Sequence, residues 1–597
     1  MTNPLLRDRD VDFLLYDVLD VLSLTALPYF ADHGRETFDP FLASTRRLAR
    51  DVLFPAYRAM DEAPPRFEGG AVTVHPRMRE IYPQLSALGL QSASRPAAVG
   101  GQQLPLVVST LASAYLMAAN ASAYGYVGLS AGAAHLLEAF GSEELRSRYM
   151  EPLYEGRWTG TMALTEPGAG SSLSDVRTRA TPTEEGHHLL SGAKIFISGG
   201  DHDLTENIVH MTLARIDGAP AGIKGVSLFA VPKKRVVAGG LVPNDVGVAG
   251  VIHKIGWRGL PSLALSLGEG GDCRGWLVGE ANRGISYMFQ MMNEARIMVG
   301  VNGVATASVA FHEALAYAEG RPQGRLFEQR DPATPQVPII AHADVRRMLL
   351  RQKAIVEGGL ALVAQTALFS DLAAHATDGA TRARAALLLD LLTPVAKSFP
   401  AERGFEANAL ALQVHGGYGY SSEYLPEAWL RDQKLNSIHE GTTGIQGMDL
   451  LGRKAIAGGG AALAHLGEEI AKTATRARTA RVDERLTASV LASFAEVRAL
   501  TMTLAEKGAR GEVLAMMLHS TDYLELFSIL VVGWQWLAMA AAATALEAKS
   551  DEERAFARGK LRAAEYWIFT ETPRLEALVA LCRSGEDSYA RVRPDEL

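Results

Sequence analysis

The sequence predicts an α+β protein whose elements are segregated along the chain: helices, then strands, then helices to the end. Three observations predict it. Apolar residues keep a helical period up to about Gly156, short β-rich runs begin at Thr159, and the helical period returns after Asn282-Arg283-Gly284. Segregation of this kind differs from alternating βα units and argues against a doubly wound dinucleotide-binding sheet.

In the first segment, residues 1–158, Phe41, Leu42, Leu48, Val52 and Leu53 fall near one helical face, and the Ala-rich run after Leu104 lets helices bury closely. The second segment, 159–280, carries runs at 188–198, 207–216, 225–231 and 263–267 separated by Gly, Pro and Asp, the texture of a β domain. In the third, 281–455, Val345, Met348, Leu349, Gln352, Ile355 and Val356 trace one face of a long helix. The last, 456–597, starts with a Gly458-Gly459-Gly460 linker, and Leu491, Phe494, Val497, Leu500 and Leu504 mark a further amphipathic helix.

With 597 residues, 48% hydrophobic and 21% charged, the chain has room for several packed domains and a buried cofactor. A net charge of −8 gives no reason to expect nucleic acid or an anionic membrane as partner, so an anionic ligand must be held by local groups. Two cysteines, Cys273 and Cys582, in unrelated contexts exclude a disulfide framework and a Cys-based metal site, and no metal is expected. The opening residues show no basic leader followed by an apolar core, so a cytoplasmic enzyme is the expectation. Residues 528–546 and 96–137 lack Asp, Glu, Lys and Arg and are long enough to span a bilayer. The first is largely Ala in its second half and the second is broken by Gly, Asn, Ser and Pro, which suits helices buried among helices, and no membrane span is expected.

Three motifs carry chemistry. Residues 162–171, MALTEPGAGS, open the β segment. Gly168 and Gly170 permit positive φ and close approach, and Thr165 and Ser171 add hydroxyls, so the loop either cradles a polar ring edge or phosphate or is a Gly-Pro turn between domains. Residues 194–201, KIFISGGD, run a strand into a Gly-Gly turn; Phe196 lies either against an aromatic cofactor or in the core, with the Ser198 hydroxyl beside it. Residues 413–446 hold Gly416, Gly417 and Gly419, whose backbone a ligand can approach. There Thr443-Gly444-Ile445-Gln446 has the spacing of a capping box with Thr443 as N-cap, which puts Glu440 in the loop entering a helix N-terminus. The helix dipole favours its carboxylate and apolar burial favours the acid, so Glu440 is either a tuned general base or a complement to the dipole.

In this order and with this separation, the three motifs resemble the acyl-CoA dehydrogenase family over roughly residues 44–453. Supporting it are His253-Lys254-Ile255-Gly256-Trp257-Arg258, Asn293-Glu294-Ala295-Arg296 and the stretch from Tyr317 to Gly324 with its Arg-x-x-Gly. The resemblance implies an N-terminal helical domain, a central β-barrel-like domain and a C-terminal four-helix bundle, with FAD between the last two, followed in this chain by an additional C-terminal helical domain. Met162, Leu164, Thr165, Gly170, Ser171, Phe196, Ile197, Ser198, Thr442 and Gly444 match positions that touch FAD. Arg321, Gln323, Gln413, Gly416 and Gly417 match positions that reach the FAD of a neighbouring subunit, implying at least a homodimer; a guanidinium suits pyrophosphate oxygens. Ser171, Asn293, Arg296, Glu440 and Gly441 match substrate-binding positions, with Arg296 alternatively pinning the catalytic loop. The implied reaction is α,β-dehydrogenation of an acyl-CoA thioester, as in fatty-acid β-oxidation. Glu440 takes the α-proton, the flavin accepts the β-hydride, and an electron-transfer flavoprotein is the onward acceptor. The family meets the enolate oxygen with the N–H of the base itself and a ribityl hydroxyl.

One branch of the family carries its base at the position of Ala295, which cannot act; adjacent Glu294 should face away, since successive helix residues point roughly 100° apart. Phe196 and Ser198 stand where many members have Trp and Thr. His439 replaces a Tyr or Phe, and a titratable neighbour is expected to shift the acid limb of the pH–rate profile. The long lead-in and extra domain resemble the bacterial long-form subgroup that includes 3-methylmercaptopropionyl-CoA dehydrogenases, which implies a homodimer rather than a tetramer. An acyl-CoA oxidase would share fold, flavin and base. A nucleic-acid-binding relative has a basic extra domain, whereas residues 456–597 hold 17 basic and 20 acidic side chains.

Overall fold

The β-rich runs after Thr159 close on themselves in the computed structural model, which describes residues 3–329, 331–546 and 550–597. The strands are β1 (Arg66–Glu68), β2 (Ala71–Thr73), β3 (Thr159–Ala163), β4 (Arg179–Pro182), β5 (His188–Ser198), β6 (Ile208–Ile216), β7 (Val226–Pro232), β8 (Lys234–Val237), β9 (Gly240–Pro243), β10 (Val246–Val251), β11 (Ser262–Leu267) and β12 (Arg274–Leu277). β5 pairs with β4, β4 with β6, β6 with β7, β7 with β12, and β12 with β5 again, so five strands form a ring and the barrel-like expectation holds. β3 adds to β6 in parallel, with Met162 opposite Met211, and β11 adds to β5, with Ile197 opposite Leu263. Leu190, Phe229, Val231, Leu267 and Cys273 are buried together by these pairings. The runs read from the sequence lie within a residue of the strands they become, because β-branched runs bounded by Gly and Pro suit a pleated, half-buried surface.

The ring belongs to a compact unit made of Glu36–Leu104 and Tyr115–Ala295. Its longest helix lies within Leu106–Phe140, which is broken at Asn120 (φ −166°, ψ 90°). The Asn120 Oδ1 accepts from the Ala123 N–H at 3.0 Å, so the side chain that interrupts the helix also caps its continuation.

A second unit comprises Met1–Arg35, Pro105–Ala114 and Arg296–Leu597. The lead-in therefore packs with the later helices rather than with those that follow it. Ser308 Oγ donates to the Leu5 carbonyl at 2.7 Å, and buried Lys560 lies 2.8 Å from Asp10 and 3.0 Å from Glu357. The helices Ala343–His375 and Gly379–Val414 pack side by side, and the helix ending at Gly320 crosses the latter closely. A Cβ on Gly300 would meet the Ala396 carbonyl oxygen at 2.0 Å and one on Gly303 the Pro400 carbonyl oxygen at 2.8 Å, so only glycine fits there. The added C-terminal helices surround Ser520–Thr544, whose Trp536 Nε1 donates to the Ala354 carbonyl at 3.1 Å. Gly458, Gly459 and Gly460 all have φ between 58° and 83°, the left-handed turn that precedes this domain. Among the described residues four helices are long and apolar enough to cross a membrane, and in Leu106–Phe140, Ala343–His375 and Ser520–Thr544 most of the apolar window is buried within the protein.

Candidate active site

In the β-containing unit the first two motifs are joined by backbone and by one ion pair. The Thr165 carbonyl accepts from the Ile195 N–H at 2.9 Å. Lys194, wholly buried, donates from Nζ to Glu166 at 2.8 Å and to the Leu213 and Leu164 carbonyls at 2.7 and 3.1 Å. Glu166 also accepts from the Arg177 and Thr178 N–H groups at 2.7 and 3.0 Å. Burial opposes both charges and pushes the Lys194 ammonium down to about 8, yet the lysine and the backbone donors hold Glu166 below the usual carboxylate range. The 162–171 loop is thereby fixed to β5.

On that frame, Phe196 is 58% exposed and sits at φ 61°, a left-handed conformation that costs a bulky residue on the order of 1–3 kcal/mol. Of the two roles open for it, the core is excluded; the ring is presented outward. Ile197 is buried instead, and Ser198 stands half-buried beside it. Met162, Leu164 and Thr165 are half-buried, and Gly170 and Ser171 are exposed. Gly168 and Gly170 do not adopt the positive φ they would permit, and a Cβ on either would meet nothing within 4 Å. Their lack of a side chain serves whatever approaches from outside, since the turn itself does not need it. An outward aromatic ring, hydroxyl donors and open glycines suit a flat heterocycle with polar edges.

In the other unit a cleft of about 760 Å³ is lined by Arg321, Gln323, Gly416 and Gly417 together with Tyr317, His415 and Tyr418. The Arg321 guanidinium lies over the Tyr418 ring at 5.6 Å. Gly416 has φ 60°, and a Cβ on Gly419 would strike the Leu412 carbonyl oxygen at 2.2 Å. Four of the five residues expected to reach a neighbour's FAD thus share one concave surface. Gln413 is exposed on the last turn of Gly379–Val414 and is not among the lining residues.

The third motif builds the loop of Glu440, the candidate base, in this same unit. Glu440 and Gly441 are both left-handed, with φ 55° and 89°, so the chain turns sharply into the helix Thr443–Asp449. The N-cap is Thr442, whose hydroxyl accepts from the Ile445 N–H at 3.4 Å, one residue earlier than the Thr443 that the capping-box spacing suggested. A threonine doublet leaves that choice to the backbone, and Thr443 instead donates its hydroxyl to Glu402. Gln446 does reach back, but its Nε2 donates to the Glu440 and Gly441 carbonyls at 3.0 and 3.4 Å. That contact holds the base loop, leaving its N–H groups available: among the described residues none accepts from the Glu440 N–H, and none binds the Glu440 carboxylate. Gly444 is likewise open, with nothing within 4 Å of a built Cβ.

Burial raises the Glu440 carboxyl above its usual range, opposed by Arg296 and Lys397. Arg296, 3% exposed, donates at 2.9 Å to Asp449, the last residue of the helix that follows the Glu440 loop. His439 is pushed down to about 4, chiefly by burial, with its Nδ1 2.8 Å from the Leu435 carbonyl. It is therefore neutral near pH 7, which confines the titration expected of it from the sequence to acid pH. Asn293 is half-buried, and Glu294 turns to His135 at 2.8 Å, as helical geometry required, leaving half-buried Ala295 against the cluster that includes Met162 and Leu164. The residue that the motifs missed is Lys397. It lies wholly buried between Pro394 and Pro400, and its only advance signal is a lone charge in the apolar run LLTPVAKSFP.

Comparison with known proteins agrees along most of the chain. Residues 36–157, 161–268 and 282–456 match the models described as acyl-CoA dehydrogenase N-terminal, middle and C-terminal domains, and 466–593 matches that described as acetyl-CoA dehydrogenase C-terminal like. The chain is 38% identical to a 3-methylmercaptopropionyl-CoA dehydrogenase of Ruegeria pomeroyi, over 93% of this chain and 94% of that protein. It is 34% identical to the broad-specificity linear acyl-CoA dehydrogenase FadE5 of Mycobacterium tuberculosis, over 95% of each. Among solved structures, an acyl-CoA dehydrogenase of Bacillus anthracis complexed with FAD superposes with a TM-score of 0.73 at 22% identity, covering 95% of this chain and 91% of that one.

Proposed function

We propose, since the chain belongs to the acyl-CoA dehydrogenase family of oxidoreductases, that it is an FAD-dependent dehydrogenase of acyl-CoA thioesters whose base is Glu440. The observation that carries this is an unpaired carboxyl, raised by burial, on a left-handed loop at a helix N-terminus. Bound FAD supplies the hydride acceptor. Thr165, Ser171 and Ser198 fit its polar edge and Phe196 its ring, and Arg321 and Gln323 with Gly416 and Gly417 fit the phosphates of a partner's cofactor.

Glu440 removes the proton α to the thioester, and the unbonded Glu440 N–H is placed to stabilise the oxygen on which charge develops. Gly441 keeps that amide accessible, Thr442 and Gln446 fix the loop, and Arg296 anchors the helix behind it through Asp449. The concave surface around Arg321 supports a homodimer. Burial of most of the apolar window in Leu106–Phe140, Ala343–His375 and Ser520–Thr544 supports a reading of these helices as packed within the protein, the proposed location is cytoplasmic, and the family supports an electron-transfer flavoprotein as acceptor. The named substrates of the two relatives above support 3-methylmercaptopropionyl and linear acyl chains, and with the latter the proposed reaction would belong to fatty-acid β-oxidation.

Anaerobic bleaching of the flavin across a panel of linear, branched and thioether acyl-CoAs tests this. Bleaching with at least one member, without rapid peroxide formation in air, is expected. No bleaching with any member overturns the dehydrogenase, and fast peroxide release marks an oxidase instead.

A further inference from the structure

Lys397 is 0% exposed, and its ammonium makes no hydrogen bond to any described residue. A buried cation without partners costs several kcal/mol, so its environment must answer for it. The fold goes to some length to put it there. Gly300 and Gly303 let the crossing helix reach the Ala396 and Pro400 carbonyls on either side of it, contacts that any side chain would block. Gln433 Nε2 donates to the Pro400 carbonyl at 2.9 Å, and Glu402 further along the same helix accepts from Thr443 beside the Glu440 loop.

The charged groups acting on Lys397 are Glu402 from its own helix, Glu440 from the base loop and Arg296 from the crossing helix; those acting on Glu440 are Arg296 and Lys397. Arg296 is already committed to Asp449, and His439, also on the base loop, is uncharged near neutrality.

We propose that Lys397 is a positioning residue that acts through Glu440: an unpaired buried ammonium whose field keeps the half-buried base ionised in the free enzyme and ready to accept the α-proton. The inference rests on Glu440 being the base. Because no hydrogen bond clamps the two together, the lysine supplies charge while leaving the carboxylate free to swing onto substrate. A hydrogen-bonded ion pair would instead tie up the oxygens that must receive the proton.

The test uses FAD-loaded enzyme, the pH dependence of single-turnover flavin reduction, and infrared difference spectra of the Glu440 carboxyl taken as unaltered enzyme minus Glu440→Gln. Removing a nearby cation raises a carboxylate's pKa. Lys397→Met or Lys397→Gln should therefore move the acid limb, and the pH at which the carboxylic-acid band disappears, upward by roughly 1–3 pH units. Lys397→Arg, which keeps the charge, should restore both. In the unaltered enzyme the carboxylate band should shift as Lys397, pushed down by burial to about 8, loses its proton. That measurement stands if the neutral variants fail to retain FAD. An unmoved limb in a folded neutral variant, a Lys397→Arg profile as displaced as that of Lys397→Met, or a carboxylate band indifferent to pH through that range each overturns the proposal. Near-normal reduction by Glu440→Gln would overturn the base assignment itself, a separate result.

Discussion

Lys194 and Lys397 are both wholly buried, and burial pushes both ammonium groups down to about 8, yet they do opposite work. Lys194 spends its donors on Glu166 and two carbonyls and so fastens the 162–171 loop to β5. Lys397 has no such partner among the described residues and faces the base through space. A satisfied buried charge specifies geometry; an unsatisfied one specifies the charge state of its neighbour. Lys560, held by Asp10 and Glu357, falls with Lys194 and ties the lead-in to the C-terminal domain.

The contrast between the two lysines can be broken at several points. The largest effect is expected from Glu440→Gln, which removes the anion that Lys397 faces: flavin reduction should fall by about 10²–10⁴-fold while the protein stays yellow and binds acyl-CoA. Next comes Lys194→Met, which leaves Glu166 buried without its counter-charge and should cost about 3–5 kcal/mol in unfolding free energy, with FAD lost more readily. Its pH–rate profile, where enzyme survives, should match that of the unaltered protein. A displaced acid limb there would mean that the two lysines do not differ as described. Thr442→Ala should cost about 1 kcal/mol, read as a lowered denaturation midpoint, whereas Thr443→Ala leaves the cap intact; the reverse order would restore Thr443 as N-cap. The smallest effect belongs to His439→Phe. A base held near 4 carries its proton only below that pH, so above about pH 5 the variant should keep the profile unchanged. A shifted limb would move the tuning role from Lys397 to His439.

The division between what was legible in advance and what was not follows the same contrast. Strand runs such as His188–Ser198 and the face from Val345 to Val356 depend on residue type and period alone, and they appear where local pattern puts them. The location of Glu440 before a helix was equally readable, because Thr442, Thr443 and Gln446 are local signals, although local spacing misplaced the cap by one residue. Gly168 sits in a turn closed by the Ala169 N–H on the Glu166 carbonyl at 3.0 Å, yet neither it nor Gly170 takes a positive φ, and a glycine that leaves open space has the same letter as one that φ demands.

By itself, then, the sequence determined the order of elements, the motifs and the place of Glu440 before a helix, all of which are written in short windows where propensity and period act. Only tertiary structure decided that Arg296 holds Asp449, that His439 is neutral and that Lys397 stands buried toward Glu440. Those facts depend on desolvation and on charges brought from 42 to 153 positions away along the chain, and neither quantity exists until the helices have crossed.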